Sequence, residues 1–393
     1  MTGEPSIQEA LLSLTQLTPT RLETTEVDWV ALLRLARANS VAPLVYARVR
    51  DLPGVPAEVL DALHHERNQC VARNVLLLAE LERLAELFHQ AGIRVIVLKG
   101  AALLTTERAS LTERPLTDID LLVGPDDAAK SRQILLNAGY WTTPDFVEGF
   151  TEAHLGERAY YRDGARRLVV DLHWHLLNHQ GHDAWEREAL ARARPLRLQS
   201  SQAWILTPED ELMHLALHLV CHHGGLGLLW RRDLAMLLDR GELDWDRLLG
   251  IARQLGVSGS LRMAMDLAAP LGGVVPEAAR RHLDALPTSL GERVFLALIT
   301  DPRYYRSVIV LRAWLAIRDW RARLHFLRWK LSPHQGFAPE AEAGGRRLSR
   351  WEAIRRVCLA AAFFVRATGR VLGALFSRAL PTPSGFQSFD DRR

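Results

Sequence analysis

The sequence predicts an α+β fold, in which a small core of alternating strands and helices precedes a mainly helical C-terminal half. Between residues 91 and 195, short runs of β-branched and apolar residues alternate with stretches of helical periodicity. After Pro195 the apolar residues recur mainly at helical spacing. The chain has 393 residues, of which 48% are hydrophobic and 24% charged, so it is long enough for at least two globular domains with substantial cores.

The expected elements follow in chain order. Helical periodicity covers residues 27–49, and a long amphipathic helix is predicted over 58–90, ended by Gly92. Its predicted apolar stripe comprises Val75, Leu78, Leu81, Leu84, Leu87 and Phe88. The core is then predicted to contain strands over 93–98, 116–123 and 168–173, and helices over 101–108 and 125–138.

The second half begins with a helix start at Thr207-Pro208, a capping residue followed by a first-turn proline. A further helix is predicted from Leu228, and helical patterns also fill 246–271 and 276–300. We expect four regions: a helical region 1–90, a catalytic core 91–195, a helical domain 196–330 that completes the cleft, and a segment 331–393 comprising a linker, a basic amphipathic helix and a loose tail.

Charge is unevenly distributed. Residues 301–393 contain 18 Lys and Arg against 7 Asp and Glu, a balance of +11, so residues 1–300 carry −8 of the net +3. The cysteines Cys70, Cys221 and Cys358 fit no zinc or disulfide spacing, and the N-terminus lacks the pattern of a signal peptide. These observations favour a cytoplasmic protein.

Asp118 and Asp120 are the strongest candidates for chemistry. Alternate residues of a strand share a face, so these two carboxylates point the same way. Adjacent like charges repel, and a divalent cation such as Mg²⁺ relieves the repulsion through hard oxygen ligands. Asp171, on a later predicted strand, is the candidate third ligand. A solvated turn would also accept Asp-x-Asp, but the context favours the metal interpretation.

Lys99 stands out because the chain contains only three lysines against 46 arginines. It precedes Gly100 at the end of the first predicted strand of the core, where an ammonium group would suit a phosphate. A salt bridge to Asp118 or Asp120 is an equally good interpretation. Arg114 is a second cation close to the acids in sequence, suited to clamp phosphate charge.

Several histidines fall near these residues. His173 and His175 share the predicted strand face of Asp171, where hydrogen bonding to a carboxylate is favoured over metal binding because Mg²⁺ prefers oxygen. His214, His218 and His222 recur at four-residue steps on a predicted helix, where packing or polar lining is favoured over zinc.

Five segments together carry a specific resemblance: Lys99-Gly100-Ala101-Ala102-Leu103, Arg114-Pro115, Thr117-Asp118-Ile119-Asp120-Leu121-Leu122-Val123, Asp171-Leu172-His173-Trp174 and Leu229-Trp230-Arg231-Arg232-Asp233-Leu234-Ala235. In order and spacing they resemble the uncharacterised bacterial nucleotidyltransferase family of the DNA polymerase beta superfamily, over roughly residues 28–300. Most superfamily members have Gly-Ser where this chain has Lys99-Gly100, with a shorter spacer than the 17 residues before Asp118, and the uncharacterised family shares that variation.

The resemblance implies a small mixed sheet flanked by helices and a magnesium-dependent transfer of a nucleoside monophosphate from a nucleoside triphosphate such as ATP to a hydroxyl acceptor. It implies Asp118, Asp120 and Asp171 as catalytic ligands of two Mg²⁺ ions, with Mn²⁺ as an alternative. Lys99, Gly100 and Arg114 would bind the nucleotide. His173 and Asp233 are candidates for the cleft, although a helix surface would also accept Asp233.

Two other functions stay open. One is an enzyme of the same fold that modifies tRNA or protein, as toxin-like relatives do. The other is a non-catalytic nucleotide-binding or assembly protein. No DNA-binding motif is present, and the acceptor has no signature. Arginines interrupt the apolar stretch within 351–380, which disfavours a membrane span and suits a peripheral membrane or protein contact, or a helix that covers the protein's own core.

Overall fold

The computed structural model describes residues 6–18, 27–143, 156–177, 183–199, 201–240 and 243–301, with single positions between 304 and 324. The predictions for 331–393, including the basic helix within 351–380, lie outside the described residues. None of the helices in the described part has the length and apolarity needed to span a lipid bilayer.

The N-terminal part is helical. Its helices are α1 (Ile7–Thr15), α2 (Trp29–Ala38), α3 (Ala42–Val49) and α4 (Ala57–Gln90). The periodic stretch 27–49 is thus two helices, because the chain turns at Ser40, which has a positive φ of 57°. The long helix α4 ends at Ala91 and Gly92, close to its predicted end.

A mixed six-stranded sheet forms the centre of the fold. Its elements are β1 (Ile96–Val97), α5 (Lys99–Thr105), β2 (Ile119–Leu122), α6 (Ala128–Asn137), β3 (Glu157–Arg162), β4 (Leu168–His173), α7 (Asp183–Arg192), β5 (Arg194–Arg197) and β6 (Gln202–Ile205). The strand order is β3-β4-β2-β1-β6-β5. The pairs β1–β6 and β2–β4 are parallel, whereas β1–β2, β3–β4 and β5–β6 are antiparallel.

The C-terminal half is helical, as predicted. It contains α8 (Pro208–Leu217), a π-helical turn (His218–His222), α9 (Leu228–Asp239), α10 (Trp245–Leu255), α11 (Ser258–Ala268), α12 (Glu277–Ala285) and α13 (Leu290–Ile299). Gly256 separates α10 from α11 with a left-handed conformation. The expected α+β class, with a mixed sheet flanked by helices, is therefore confirmed.

Two hydrophobic cores support the site, and α4 contributes to both. One core unites the N-terminal and C-terminal helices, and it includes Val59 and Leu63 from the first half of α4. The other packs the sheet against the second half of α4, through Leu81, Leu84 and Phe88. Helix α4 therefore joins the helical part of the molecule to the sheet that carries the acidic residues.

The predicted apolar stripe of α4 is wrong at one position. Val75 is 52% exposed, and the neighbouring Asn74 is fully buried. The amide of Asn74 donates to the carbonyls of Leu111 and Arg114, at 2.8 and 2.9 Å, and accepts from the backbone N–H of Leu116 at 2.8 Å. Asn74 therefore fixes the loop that leads to Asp118, a polar task that hydrophobic periodicity does not reveal.

Replacing Asn74 should destabilise the protein. In Asn74→Leu three backbone groups lose their partner, and an unpaired buried group costs about 1–3 kcal/mol, so we expect the free energy of unfolding to fall by about 3 kcal/mol or more. Urea denaturation measures the change. The matched control is Asn68→Leu on the exposed face of the same helix, for which we expect a change within about 0.5 kcal/mol. Equal stability of the two variants would contradict the role of Asn74.

Candidate active site

The acidic residues meet where β2 and β4 run side by side. Asp120 and Asp171 are register partners in this parallel pair, so their side chains project from the same side of the sheet. Asp118 lies two residues before Asp120, just ahead of the strand. Asp120 and Asp171, distant in sequence, are thus brought to one face of the sheet, and Asp118 lies close enough for its charge to raise the pKa of Asp171.

The charge of these carboxylates is only partly balanced. Burial, and then the charge of Asp120, raise the pKa of Asp118 above its ordinary value. Burial and the charges of Asp120 and Asp118 raise the pKa of Asp171 to about 7. Within the described residues, Asp171 has no hydrogen-bond or salt-bridge partner, and Asp118 accepts only from the hydroxyl of Thr117, at 3.1 Å. The site therefore carries excess negative charge.

Asp120 is held between two basic groups. Its Oδ1 lies 2.6 Å from Nζ of Lys99 and 3.0 Å from Nε2 of His173. Burial alone would raise the pKa of Asp120, but the charge of Lys99 and the hydrogen bond to His173 lower it strongly. Burial likewise disfavours a charged Lys99, and the charge of Asp120 outweighs that effect and raises the pKa of the ammonium group. The structure shows the salt bridge of Lys99 to Asp120, and the predicted phosphate contact of Lys99 stays a prediction.

Lys99 is placed by the chain turn after β1. It is a non-glycine residue with a positive φ of 49°, at the first position of α5. A residue with a side chain rarely adopts this left-handed conformation, because it is sterically unfavourable. Such residues persist where the surrounding structure enforces the conformation, and they are frequent at functional sites. Because β1 and β2 are antiparallel, the last residue of β1 and the first residue of β2 lie at the same end of the sheet, which brings Lys99 close to Asp120.

Glu157, which the sequence analysis missed, completes the network. It is the register partner of His173 on β3, and its Oε2 lies 3.0 Å from Nδ1 of His173. Burial would raise the pKa of Glu157, but the charge and hydrogen bond of His173 hold it well below its ordinary value. The order Lys99, Asp120, His173, Glu157 alternates positive and negative charge. His175, by contrast, contacts Glu186 at 2.7 Å.

His173 should make stability depend on pH. Burial and Lys99 would lower its pKa, but Glu157 and the hydrogen bonds to both carboxylates raise it to about 9. Because the unfolded value is about 6.5, this contribution, up to about 3 kcal/mol, is fully present below about pH 6.5 and is lost as the pH rises through about 9. Urea denaturation from about pH 6 to about pH 9 measures it. We expect His173→Gln to flatten the pH dependence and His89→Gln, at an exposed position, to leave it unchanged. Equal slopes in all three proteins would contradict this explanation.

A second group of contacts lies next to Lys99 and joins Arg114 to Gly100 and Asp233. The Arg114 guanidinium makes two hydrogen bonds to the Asp233 carboxylate, at 2.8 and 3.3 Å, and both side chains are buried. It also lies against Gly100, where a Cβ atom would be 2.0 Å from Nη1 of Arg114. The glycine is therefore required for this close approach. The predicted nucleotide contacts of Gly100 and Arg114 stay predictions, and in the structure Arg114 and Asp233 join α9 to the Lys99 turn.

His214 and His218, in the C-terminal half, lie close enough to Lys99 to be affected by its charge. Burial and the charge of Lys99 lower the pKa of His214 to about 3 and hold that of His218 well below its ordinary value. His218 Nε2 lies 2.9 Å from Nε2 of His223. Among the described residues, no three His, Cys, Asp or Glu side chains already surround one point as metal ligands do.

Known proteins were found that are similar to this chain in sequence or in structure. The family described as uncharacterised nucleotidyltransferase matches residues 25–273, more than half of the chain. Among solved structures, an antigenic nucleotidyltransferase-like protein from Paracoccidioides brasiliensis is 17% identical, with a TM-score of 0.33, and the match covers 52% of this chain and 96% of that one. No curated protein matches the chain.

Proposed function

This chain belongs to the uncharacterised nucleotidyltransferase family, and from that premise we propose that it transfers a nucleoside monophosphate from a nucleoside triphosphate to a hydroxyl acceptor in a magnesium-dependent reaction. The family makes the chain a nucleotidyltransferase. The metal, the triphosphate donor and the hydroxyl acceptor belong to the proposal. In the reaction, the acceptor oxygen attacks the α-phosphorus, the bond from that phosphorus to the β-phosphate oxygen breaks, and pyrophosphate leaves.

One observation carries the proposal: Asp120 and Asp171 are register partners on adjacent parallel strands, with Asp118 two residues before Asp120. A structural role does not explain the arrangement, because it forces like charges together and raises the pKa of two of the three carboxyl groups. A site that binds a cation and a polyphosphate does explain it.

The donor set fits Mg²⁺ chemically. Carboxylate oxygens are the ligands that Mg²⁺ prefers. Within the described residues, neither Asp118 nor Asp171 forms a salt bridge with a basic side chain. Asp118, Asp120 and Asp171 would hold the metal, with Asp120 already oriented by Lys99 and His173. Bound Mg²⁺ would stabilise negative charge on the reacting phosphate and on the leaving pyrophosphate.

The residues of the chain would then act by position and charge. Lys99, which is only 13% exposed, supplies a fixed ammonium group beside the acids and would contact the triphosphate. Asp171 would take the proton of the acceptor hydroxyl. Glu157 and His173 would keep the Asp120 carboxylate in place throughout.

The test is incubation of the full chain with Mg²⁺, each labelled nucleoside triphosphate and a cell extract, followed by identification of what acquires the label and by measurement of pyrophosphate. We expect label from the α-phosphate on an acceptor, release of pyrophosphate, and loss of both on chelation of the metal. Transfer of the γ-phosphate alone would replace the proposed reaction with a kinase-like one. Equal triphosphate binding in the parent and in Asp120→Ala would favour a non-catalytic protein.

A further inference from the structure

Four aromatic rings cluster between α8 and α9. The imidazoles of His218, His222 and His223 have centroids 4.5–5.0 Å apart. His223 also stacks on the indole of Trp230, at 3.7 Å and an interplanar angle of 11°. We call these four residues the ring cluster.

The π-helical turn creates the ring cluster. Its defining hydrogen bond runs from the backbone N–H of His223 to the carbonyl of His218, five residues back, at 3.2 Å. In a regular α-helix a residue five positions later would point to a different side, whereas in the wider turn both His222 and His223 come beside His218. Such turns are frequent at functional sites, which directs attention to these rings.

The ring cluster lies beside the charged residues of the candidate active site. Trp230 precedes Asp233 by three residues on α9, so the two side chains share a helix face. Asp233 binds Arg114, and Arg114 lies against Gly100, the residue after Lys99. The charges of Lys99 and Glu157 also act on these histidines. The aromatic surface of the ring cluster and the strongly charged site around Lys99 are therefore neighbours.

His222 is the outermost member of the ring cluster. Trp230 is covered on one side by His223 and approached closely by Gly227, where a Cβ atom would be 2.2 Å from the indole. His222 is exposed and stacks on His218, with centroids 5.0 Å apart and an interplanar angle of 27°. An incoming planar molecule would therefore meet His222 first.

We propose that His222, supported by His218, stacks against the base of the nucleotide donor. This inference rests on the proposed function, because it assigns the two chemically different parts of a nucleotide to the two neighbouring surfaces. The phosphates carry negative charge and suit Lys99 and the metal site. The base is a planar heterocycle and suits the faces of aromatic rings, on which bases stack with little dependence on their identity.

The experiment compares a ligand that has a base with one that lacks it. Calorimetry on the full chain with Mg²⁺ measures the dissociation constants of a non-hydrolysable ATP analogue and of tripolyphosphate, for the parent, His222→Ala and His222→Phe. Because stacking contributes about 1–3 kcal/mol, we expect His222→Ala to weaken the analogue about fivefold or more and to leave tripolyphosphate unchanged. We expect His222→Phe to retain affinity for the analogue, since it retains the ring. His65→Ala, at an exposed histidine of α4, is the control and should change neither constant.

The outcomes distinguish a failure of the stacking role of His222 from a failure of the proposed function. If the parent binds the analogue and His222→Ala binds it equally well, or loses the analogue and tripolyphosphate to the same extent, the stacking inference is overturned and the proposed function stands. If the parent binds neither ligand, the proposed function itself is overturned.

Discussion

Asp171→Asn is expected to abolish nucleotidyl transfer and to leave the protein at least as stable as the parent. The substitution keeps the shape of the side chain and removes one charge from the face that would hold the metal and the acceptor. Loss of one group that stabilises transition-state charge typically lowers the rate on the order of 10²–10³-fold, and Asp171 would combine this role with proton removal, so we expect about 10³-fold or more. Initial rates of pyrophosphate release measure the effect.

The stability of the same variant is informative. Burial, Asp120 and Asp118 raise the pKa of Asp171 to about 7, so the folded state disfavours the charged carboxylate. A carboxyl group with a raised pKa makes the protein lose stability as the pH rises from about 4 through about 7. Above about pH 7 the uncharged amide of the Asp171→Asn variant avoids this loss. Thermal unfolding at about pH 8 should therefore show a midpoint equal to or above that of the parent.

Asp120→Asn provides the contrast. It removes the carboxylate that contacts both Lys99 and His173, and leaving a buried charge unpaired costs about 3–5 kcal/mol. We expect this variant to lose both activity and stability. Asp126→Asn, at an exposed position, should lose neither. An Asp171→Asn protein that retains a tenth of the parental rate would contradict the role of Asp171 in the chemistry.

Breaking the Arg114–Asp233 pair is expected to have the largest effect on stability outside the acidic site. Asp233→Asn leaves the buried Arg114 guanidinium without its counter-charge, and we expect the free energy of unfolding to fall by about 3–5 kcal/mol. The double variant Arg114→Met with Asp233→Leu removes both charges and should recover most of that loss. Urea denaturation of Arg114→Met, of Asp233→Leu and of the double variant gives the coupling energy.

The matched control for this pair is Asp284→Asn. Asp284 is exposed on α12 and pairs with Arg280 at 3.0 Å and with Arg262 at 3.2 Å, and a pair at such an exposed carboxylate contributes about 0–1 kcal/mol. A similar small loss in Asp233→Asn would show that the buried pair does not fix α9 against the Lys99 turn. The recovery of stability in the double variant should not restore activity fully, because Gly100 packs directly on Arg114.

The local signals that were strong in the sequence predicted the fold well. The strand 168–173 has the predicted limits, and α4 begins within one residue of its predicted start. The meeting of Asp118, Asp120 and Asp171 was predictable because strand alternation and family resemblance agreed. His173 contacts the Asp120 carboxylate, which is the interaction favoured from the sequence.

Other features depend on contacts between distant segments and leave little local signal. The strands β3, β5 and β6 were not predicted. Glu157–Arg162 and Arg194–Arg197 are rich in charged residues and lack a clear apolar pattern, and β6 has only four residues. Glu157 was missed with its strand. The pairing of Arg114 with Asp233 spans 119 residues of sequence, and no spacing rule indicates it.

The histidine pattern shows the limit of regular periodicity. Four-residue steps predicted that His214, His218 and His222 share one helix face. The chain instead enters a π-helical turn at His218, which adds His223 to the group. A one-residue change in helical winding cannot be read from apolar spacing, since Leu219 and Val220 are buried in either case.

The placement of α4 in both cores limits how the molecule can be divided. A fragment that starts at residue 91 would retain the sheet and the acidic face but would lack Leu81, Leu84 and Phe88, which cover that sheet. It would also lack Asn74, and with it the anchor of the loop before Asp118. Truncation at residue 91 should therefore yield insoluble material, whereas any minimal active piece must retain the whole of the long helix.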